Sequence, residues 1–340
     1  VKPLRPLDRL LLPFAIFFLV LTALWALTVG QFPISVGDIV KLLGHKLLGG
    51  SDDVAENAHV VLFELRAPRV AVAFIVGAAL SAAGAAYQNL FRNPLVSPDI
   101  LGVSGGAALG AVLGILFGSP WLLTQGFAFA GGLIAVTFIF AISHRLRAQD
   151  PVLTLALTGV VLGAALGAVI ALVKYLADPY RELPAITYWL LGSFASVTPR
   201  DAVITAVIAG AAIVPIFLLR WRINLLGLPD DEARTLGLDV RRTRAIVVIA
   251  ATLMTAASVA VCGIIGWVGL VIPHAVRLIV GGEFSRLLPL SMVIGGTFLL
   301  LVDTLARSII ATEVPPGVLT AMIGAPAFIA LMAATLRRRA

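Results

Sequence analysis

Charge is the scarcest thing in this chain. Asp, Glu, Lys and Arg make up 13% of its 340 residues, while 60% are hydrophobic and the mean hydropathy is +1.03. A soluble domain carries about 25% charge. Half of that cannot cover a water-exposed surface, so the composition excludes a soluble body and the length gives no count of soluble domains. A single cysteine, Cys262, excludes an intrachain disulfide and a cysteine-rich metal centre. His45, His59, His144 and His274 fall at no ligand spacing and share no recurring carboxylate, so neither a zinc site nor a general base is expected. No Gly-x-x-x-x-Gly-Lys-[Ser/Thr] occurs, so any nucleotide that drives this protein must bind another subunit. No cofactor is implied. The predicted helix middles lack ionisable residues, with Asp99, Asp150, Asp303, Arg277 and Glu313 all near predicted ends. Ion-coupled carriers commonly place a carboxylate at mid-depth, and its absence argues against that class. "GVSGG" (102–106) matches the hydrolase elbow but lacks its strand-turn-helix setting, so packing explains it better.

What is abundant is apolar length. Ten runs approach the 20 residues that cross a bilayer: 10–30, 67–89, 99–118, 121–143, 152–176, 201–220, 243–262, 264–280, 287–308 and 317–336. The run at 264–280 is the weakest, being short and interrupted by Pro273, His274 and Arg277. The first run follows Lys2, Arg5 and Arg9 but outlasts a signal-peptide core, so a retained helix is expected. With the N-terminus placed in the cytoplasm, 17 Lys and Arg fall inside and 8 outside, which supports an even helix count and two cytoplasmic termini. The net charge of +7 is spread between apolar runs, which fits topology signals in a bilayer and not a nucleic-acid patch. The expectation is an all-α polytopic membrane protein: one domain over 1–340, ten transmembrane helices in a compact bundle. Small residues four apart (Gly102, Gly106, Gly110, Gly114; Gly159, Gly163, Gly167; Ala73, Gly77, Ser81, Ala85) predict close helix packing. Gly84 with Pro94, and Gly263 with Pro273, hint at an internal duplication. Residues 35–48 read as a capped amphipathic surface helix, and Tyr188 with Trp189 as an aromatic belt.

Two concentrations of charge break the pattern. "GLPDDEARTLGLDVRR" (227–242) holds seven charged residues in sixteen. Asp230 is expected to cap a short helix led by Asp231 and Glu232, with Gly237 closing it in a left-handed turn and Asp239 capping the next. Leu228, Ala233, Leu236 and Leu238 form an apolar seam, so the segment reads either as a solvated loop or as a rigid knob for a cytoplasmic partner. Arg66 and Arg69 lie on the outer side in the first turn of a predicted helix, where a cation opposes the helix dipole. They read either as a local pair with Glu64 or a headgroup contact, or as a dock for an acidic partner. Arg307, four residues after Asp303 at a helix end, suits the dipole.

"LRAPRVAVAFIVGAALSAAGAAYQNLFRNPLVSPDILGVSGGAALG" (65–110), "YWLLGS" (188–193), "DDEARTLG" (230–237), "GLVIPHAVRL" (269–278), "LLPLSMVIGG" (287–296), "VDTLARS" (302–308) and "VPPGVLTAMIGAPAFIALM" (314–332) together resemble the permease family that imports vitamin B12, haem and iron-siderophores. The resemblance runs over nearly the whole chain after the first helix. It implies the type II ABC importer permease fold in the inner membrane, working as a homodimer with two cytoplasmic ATP-binding cassette subunits and a periplasmic binding protein. It assigns Arg66, Arg69 and Arg307 to docking that protein. It assigns Leu228, Asp230, Asp231, Glu232, Ala233, Arg234, Leu236, Gly237 and Leu238 to coupling helices. Asn93 and Leu95 match one cytoplasmic gate, and Asp150, Pro151, Val152 and Leu153 a second. "LGLPDD" departs from the family's usual Gly before the acidic residue, and "VPP" replaces its Glu-Leu-Pro.

Overall fold

The computed structural model describes residues 6–30, 32, 34–48, 56–146, 151–309 and 312–337. They are helical, with no strand among the described residues. Eight helices are long and apolar enough to cross a membrane, and they coincide with eight of the ten predicted spans. They are α1 (Pro6–Thr28), α4 (Ala67–Leu90), α6 (Trp121–Leu146), α7 (Pro151–Leu176), α9 (Pro199–Leu218), α12 (Val240–Cys262), α14 (Phe284–Ala306) and α15 (Pro316–Arg337). The other two predicted spans are helices of 14 and 13 residues, α5 (Val103–Leu116) and α13 (Val268–Val280). At 1.5 Å per residue each rises about 20 Å, short of the ~30 Å hydrocarbon core. Five short α-helices also occur among the described residues: α2 (Val36–Leu48), α3 (Glu56–Val60), α8 (Glu182–Leu191), α10 (Arg220–Leu225) and α11 (Asp230–Thr235).

α4 is the centre of the bundle. It packs on α14, α12, α13 and α9, and its apolar window is 78% buried. Its small residues make this possible. A Cβ on Gly77 would lie 2.3 Å from the Gly295 carbonyl oxygen on α14, and one on Gly84 1.8 Å from the Gly269 oxygen on α13. Without a hydrophobic drive between helices in lipid, such backbone approach supplies the contact. The stripe on α5 works the same way: a Cβ on Gly106 or Gly110 would strike the Gly131 or Phe127 carbonyl of α6. On α7 the expectation holds only at Gly159, which abuts the Ile100 oxygen, while Gly163 and Gly167 face open space.

Two other expectations change. Gly84 lies within α4 and Gly263 terminates α12 with φ +71°, so the two Gly–Pro pairs occupy different local structures and carry no duplication. Trp189 is buried inside the bundle, leaving only Tyr188 exposed as a belt residue. Ser104 donates to Asp99 and has no histidine partner, in keeping with a packing role for "GVSGG". The predicted cap of α2 is present: Ser35 Oγ donates to Asp38 at 2.7 Å and accepts from the Asp38 amide at 3.1 Å, while Ile39 and Leu42 are buried beneath.

Candidate functional site

The two charge concentrations sit at opposite ends of α4, about 35 Å apart along its 24 residues. Past the C-terminal end, Phe91 caps α4 and Arg92 turns the chain with φ +50°, a left-handed conformation that a non-glycine residue rarely takes. From there Arg92 Nε donates to the Leu226 carbonyl at 3.1 Å and its Nη2 to Asp230 at 2.8 Å. Arg244, in the second turn of α12, donates to both Asp230 oxygens at 3.1 and 3.0 Å. Asp230 was expected to cap α11. It instead bridges an arginine in the turn after α4 and one on α12, and the cap position falls to Pro229, whose side chain makes no hydrogen bond. A carboxylate gains more from two guanidinium forks than from one amide. The remaining turn chemistry follows expectation. Gly237 has φ +82° and its amide donates to the Arg234 carbonyl, and Asp239 caps α12 by accepting from the Arg242 amide at 2.9 Å.

The seam divides. Ala233 and Leu238 are buried and Leu228 is half-buried, but Leu236 is 60% exposed beside Asp231, Glu232 and Arg234, which are also exposed. A short anchored helix therefore presents one apolar side chain within a charged rim. The anchoring continues through α10: Asn89 donates to the Ile223 carbonyl, and Asn224 Oδ1 accepts from the Phe284 amide that opens α14.

Partial burial raises the Asp230 carboxyl, but hydrogen bonds and charge from Arg244 and then Arg92 outweigh it, and it titrates below the ordinary carboxylate range. A depressed folded value adds stability above the unfolded value of about 4 and loses it as pH falls through the folded one. Hydrogen exchange at the α11 amides, corrected for its intrinsic pH dependence, should therefore stay slow at neutral pH and quicken below about pH 4. Asp230→Asn should quicken it at neutral pH and flatten the profile.

Asn93 and Leu95 follow Arg92. Asn93 Oδ1 accepts from the Leu95 amide at 2.9 Å, and Leu95 is exposed. Pro151, Val152 and Leu153 open α7, with Leu153 exposed. Asp150 lies outside the described residues.

At the far end of α4 the helix does not begin at Pro68. It continues from α3 through a π-helical stretch, Val61–Arg66, into α4. Arg66 and Arg69 thus lie inside a continuous helix, and the expected conflict with a helix N-terminus does not arise. Arg66 does not pair with Glu64. Its guanidinium is buried and donates to the carbonyls of Leu27, Thr28 and Phe32, tying down the end of α1. Arg307 does the same from the end of α14, donating to Val29 and Ala26, with its Nε 3.8 Å from Asp303. Arg69 is held on both sides: Asp303, fully buried, takes its Nε and Nη2 at 2.8–3.1 Å, and Glu313 takes Nη1 and Nη2 at 2.9 and 3.0 Å. The three arginines and Glu313 line a cavity of about 290 Å³.

The sequence thus marks the three arginines, and folding brings them together. It does not mark their partners. Asp303 is marked only as the residue four before Arg307 and Glu313 only as one near a helix end, and the backbone carbonyls of Ala26, Leu27, Thr28, Val29 and Phe32 leave no trace in side-chain composition.

The chain has known relatives. The chain is 38% identical over 312 residues to the molybdate import system permease protein MolB of Haemophilus influenzae, covering 91% of each. It is 41% identical over 282 residues to the cobalamin import system permease protein BtuC of Halobacterium salinarum, covering 82% of this chain and 75% of that one. A solved inward-facing structure assigned to the metal-chelate type of ABC transporter matches with a TM-score of 0.85 and 35% identity, over 95% of this chain and 98% of the other. Residues 18–334 match the FecCD transport family, and the chain belongs to that family as a permease subunit of an ABC importer.

Proposed function

We propose that this permease forms the translocation path for a metal chelate (haem, a ferric siderophore or cobalamin) handed over by a periplasmic binding protein. Two copies enclose the path, α5 and α13 count among ten spans of each, and both termini lie in the cytoplasm. Gly163 and Gly167 favour the second copy, because small residues that elsewhere seat a neighbouring helix have none here among the described residues. Asn93 and Leu95 on one segment and 150–153 on the other close the path at the inner side.

The observation that carries the reading is the anchored knob. Residues 228–238 present Leu236 in a charged rim, and Asp230 ties that rim to α4 and α12 through Arg92 and Arg244. A partner that grips the knob therefore pulls on the helices at the centre of the bundle. Two cytoplasmic ATPase subunits supply the pull. Nucleotide must bind one conformation of the assembly better than the other, since only differential affinity shifts an equilibrium. The permease itself performs no bond chemistry. The relatives' names span molybdate and cobalamin, so cargo is read by measuring which ligand stimulates ATP hydrolysis in the complex. Hydrolysis that no ligand or binding protein changes overturns the reading.

Arg66, Arg69 and Arg307 dock the binding protein from the opposite end. Their buried contacts set a condition on this role. Arg66 and Arg307 hold backbone carbonyls, so reversing their charge disrupts the end of α1 before it tests docking. Glu313 is the exposed member of the Arg69 pairs, at 36%, and an incoming carboxylate competes with it. Glu313→Gln removes the competing charge and keeps the shape. Docking should tighten about threefold to tenfold at low salt, with the gain fading as ionic strength rises, measured by binding-protein titration in nanodiscs. Weaker docking would mean that Glu313 serves the partner instead.

A further inference from the structure

A cavity of about 190 Å³ lies between α6, α9 and α12, away from both charged ends of α4. Its lining combines Asp201, Gln125 and Thr205 with apolar Leu122, Ile204 and Ile208. Asp201 belongs to the capping box of α9. It is 4% exposed, and both bonds it accepts, from the Thr198 amide and hydroxyl at 2.9 and 2.7 Å, fall on Oδ2. Oδ1 is left for the cavity. Gln125 Nε2 is buried with no acceptor. A buried amide donor without a partner costs free energy, and rotation of its terminal torsion turns it toward the cavity.

Depth identifies the ligand class. Gln125 is the fifth residue of α6 and Asp201 the third of α9, while Ala257, Ala260 and Val261 lie in the closing turns of α12. At 1.5 Å per residue all are within about 8 Å of helix ends, which is the boundary between headgroups and acyl chains. Leu122 and Ile204 are exposed at the mouth, on helices whose apolar windows are only 28% buried. The cavity therefore opens sideways, where acyl chains run. Its free carboxylate oxygen requires a hydrogen-bond donor, its free amide an acceptor, and its apolar rim a chain. We propose that this cleft binds a phospholipid bearing a primary ammonium group, with the ammonium on Asp201 Oδ1, the phosphate accepting from Gln125 Nε2, and an acyl chain along Ile204 and Ile208. A quaternary ammonium has no N–H to give and fits poorly.

The site is read without reference to transport and is tested apart from it. The full chain is purified into nanodiscs containing equal phosphatidylethanolamine, phosphatidylcholine and phosphatidylglycerol of one acyl composition, and retained lipid is counted by native mass spectrometry. Phosphatidylethanolamine should be retained about tenfold over phosphatidylcholine. Asp201→Asn, which keeps an acceptor for Thr198 but removes the charge that holds the ammonium, should bring the ratio near unity, while Gln125→Leu, which leaves the α9 cap intact, should lower retention of every phospholipid. Equal retention of the two lipids by the unaltered protein overturns the proposal. So does preferential retention of phosphatidylglycerol, which would mark a phosphate site with no amine selectivity, or a ratio unchanged in Asp201→Asn.

Discussion

Asp303→Ala should destabilise the protein by about 3–5 kcal/mol, the range for removing one partner of a buried ion pair. Asp303 has no exposed surface, receives three hydrogen bonds from Arg69 and lies 3.8 Å from Arg307. Its removal leaves Arg69, 11% exposed, with Glu313 alone, and takes from Arg307 its one ion-pair partner among the described residues. Most of the loss is the desolvation of charges already buried, so deleting both sides should restore much of it. Thermal unfolding in one detergent should show a large drop for Asp303→Ala, a smaller one for Asp303→Asn, and partial recovery for Asp303→Ala with Arg69→Met. If the double variant melts below the single one, Arg69 stabilises the bundle by packing and not through the pair.

Leu236→Asp should weaken ATPase capture by about thirtyfold while leaving the permease fold unchanged. A partner that covers Leu236 desolvates it, and a carboxylate put in its place costs about 2 kcal/mol through lost apolar burial and an unpaired charge. Because Leu236 is 60% exposed, the substitution creates no cavity and buries no charge in the free protein. Arg234→Ala, in the rim, should cost less than 1 kcal/mol and act mainly on the association rate. Titration of the ATPase subunit onto nanodisc-embedded permease separates the two. Equal losses at Leu236 and Arg234 would mean that contact is spread over the rim and that Leu236 is no anchor.

Local chemistry was the legible part of this molecule. Eight spans, the Ser35–Asp38 box, the left-handed Gly237 and the Asp239 cap follow from residue type and spacing over a few positions. So does the tight packing at Gly106 and Gly110, because a stripe of small residues is itself a local pattern. What escaped depends on which helices meet. Arg66 reaches carbonyls 34 to 39 positions earlier, and Arg69 reaches a carboxylate 234 positions later. No period along the chain encodes such pairs. Asp230 shows the two kinds of information in conflict: its place before a short helix says cap, and the arrival of Arg92 and Arg244 overrides it. The π-helical stretch before α4 was also invisible, since Pro68 reads as a helix start wherever one is expected.

The carbonyl-tight seats of Gly77 and Gly84 bear on motion as well as on assembly. Backbone wedged against backbone cannot slide by a side chain changing rotamer, so α4, α13 and α14 must travel as one solid slab. Whatever bending a transport stroke needs is left to helices outside that slab, such as α7, whose apolar window is 6% buried and whose glycines meet a carbonyl only at Gly159.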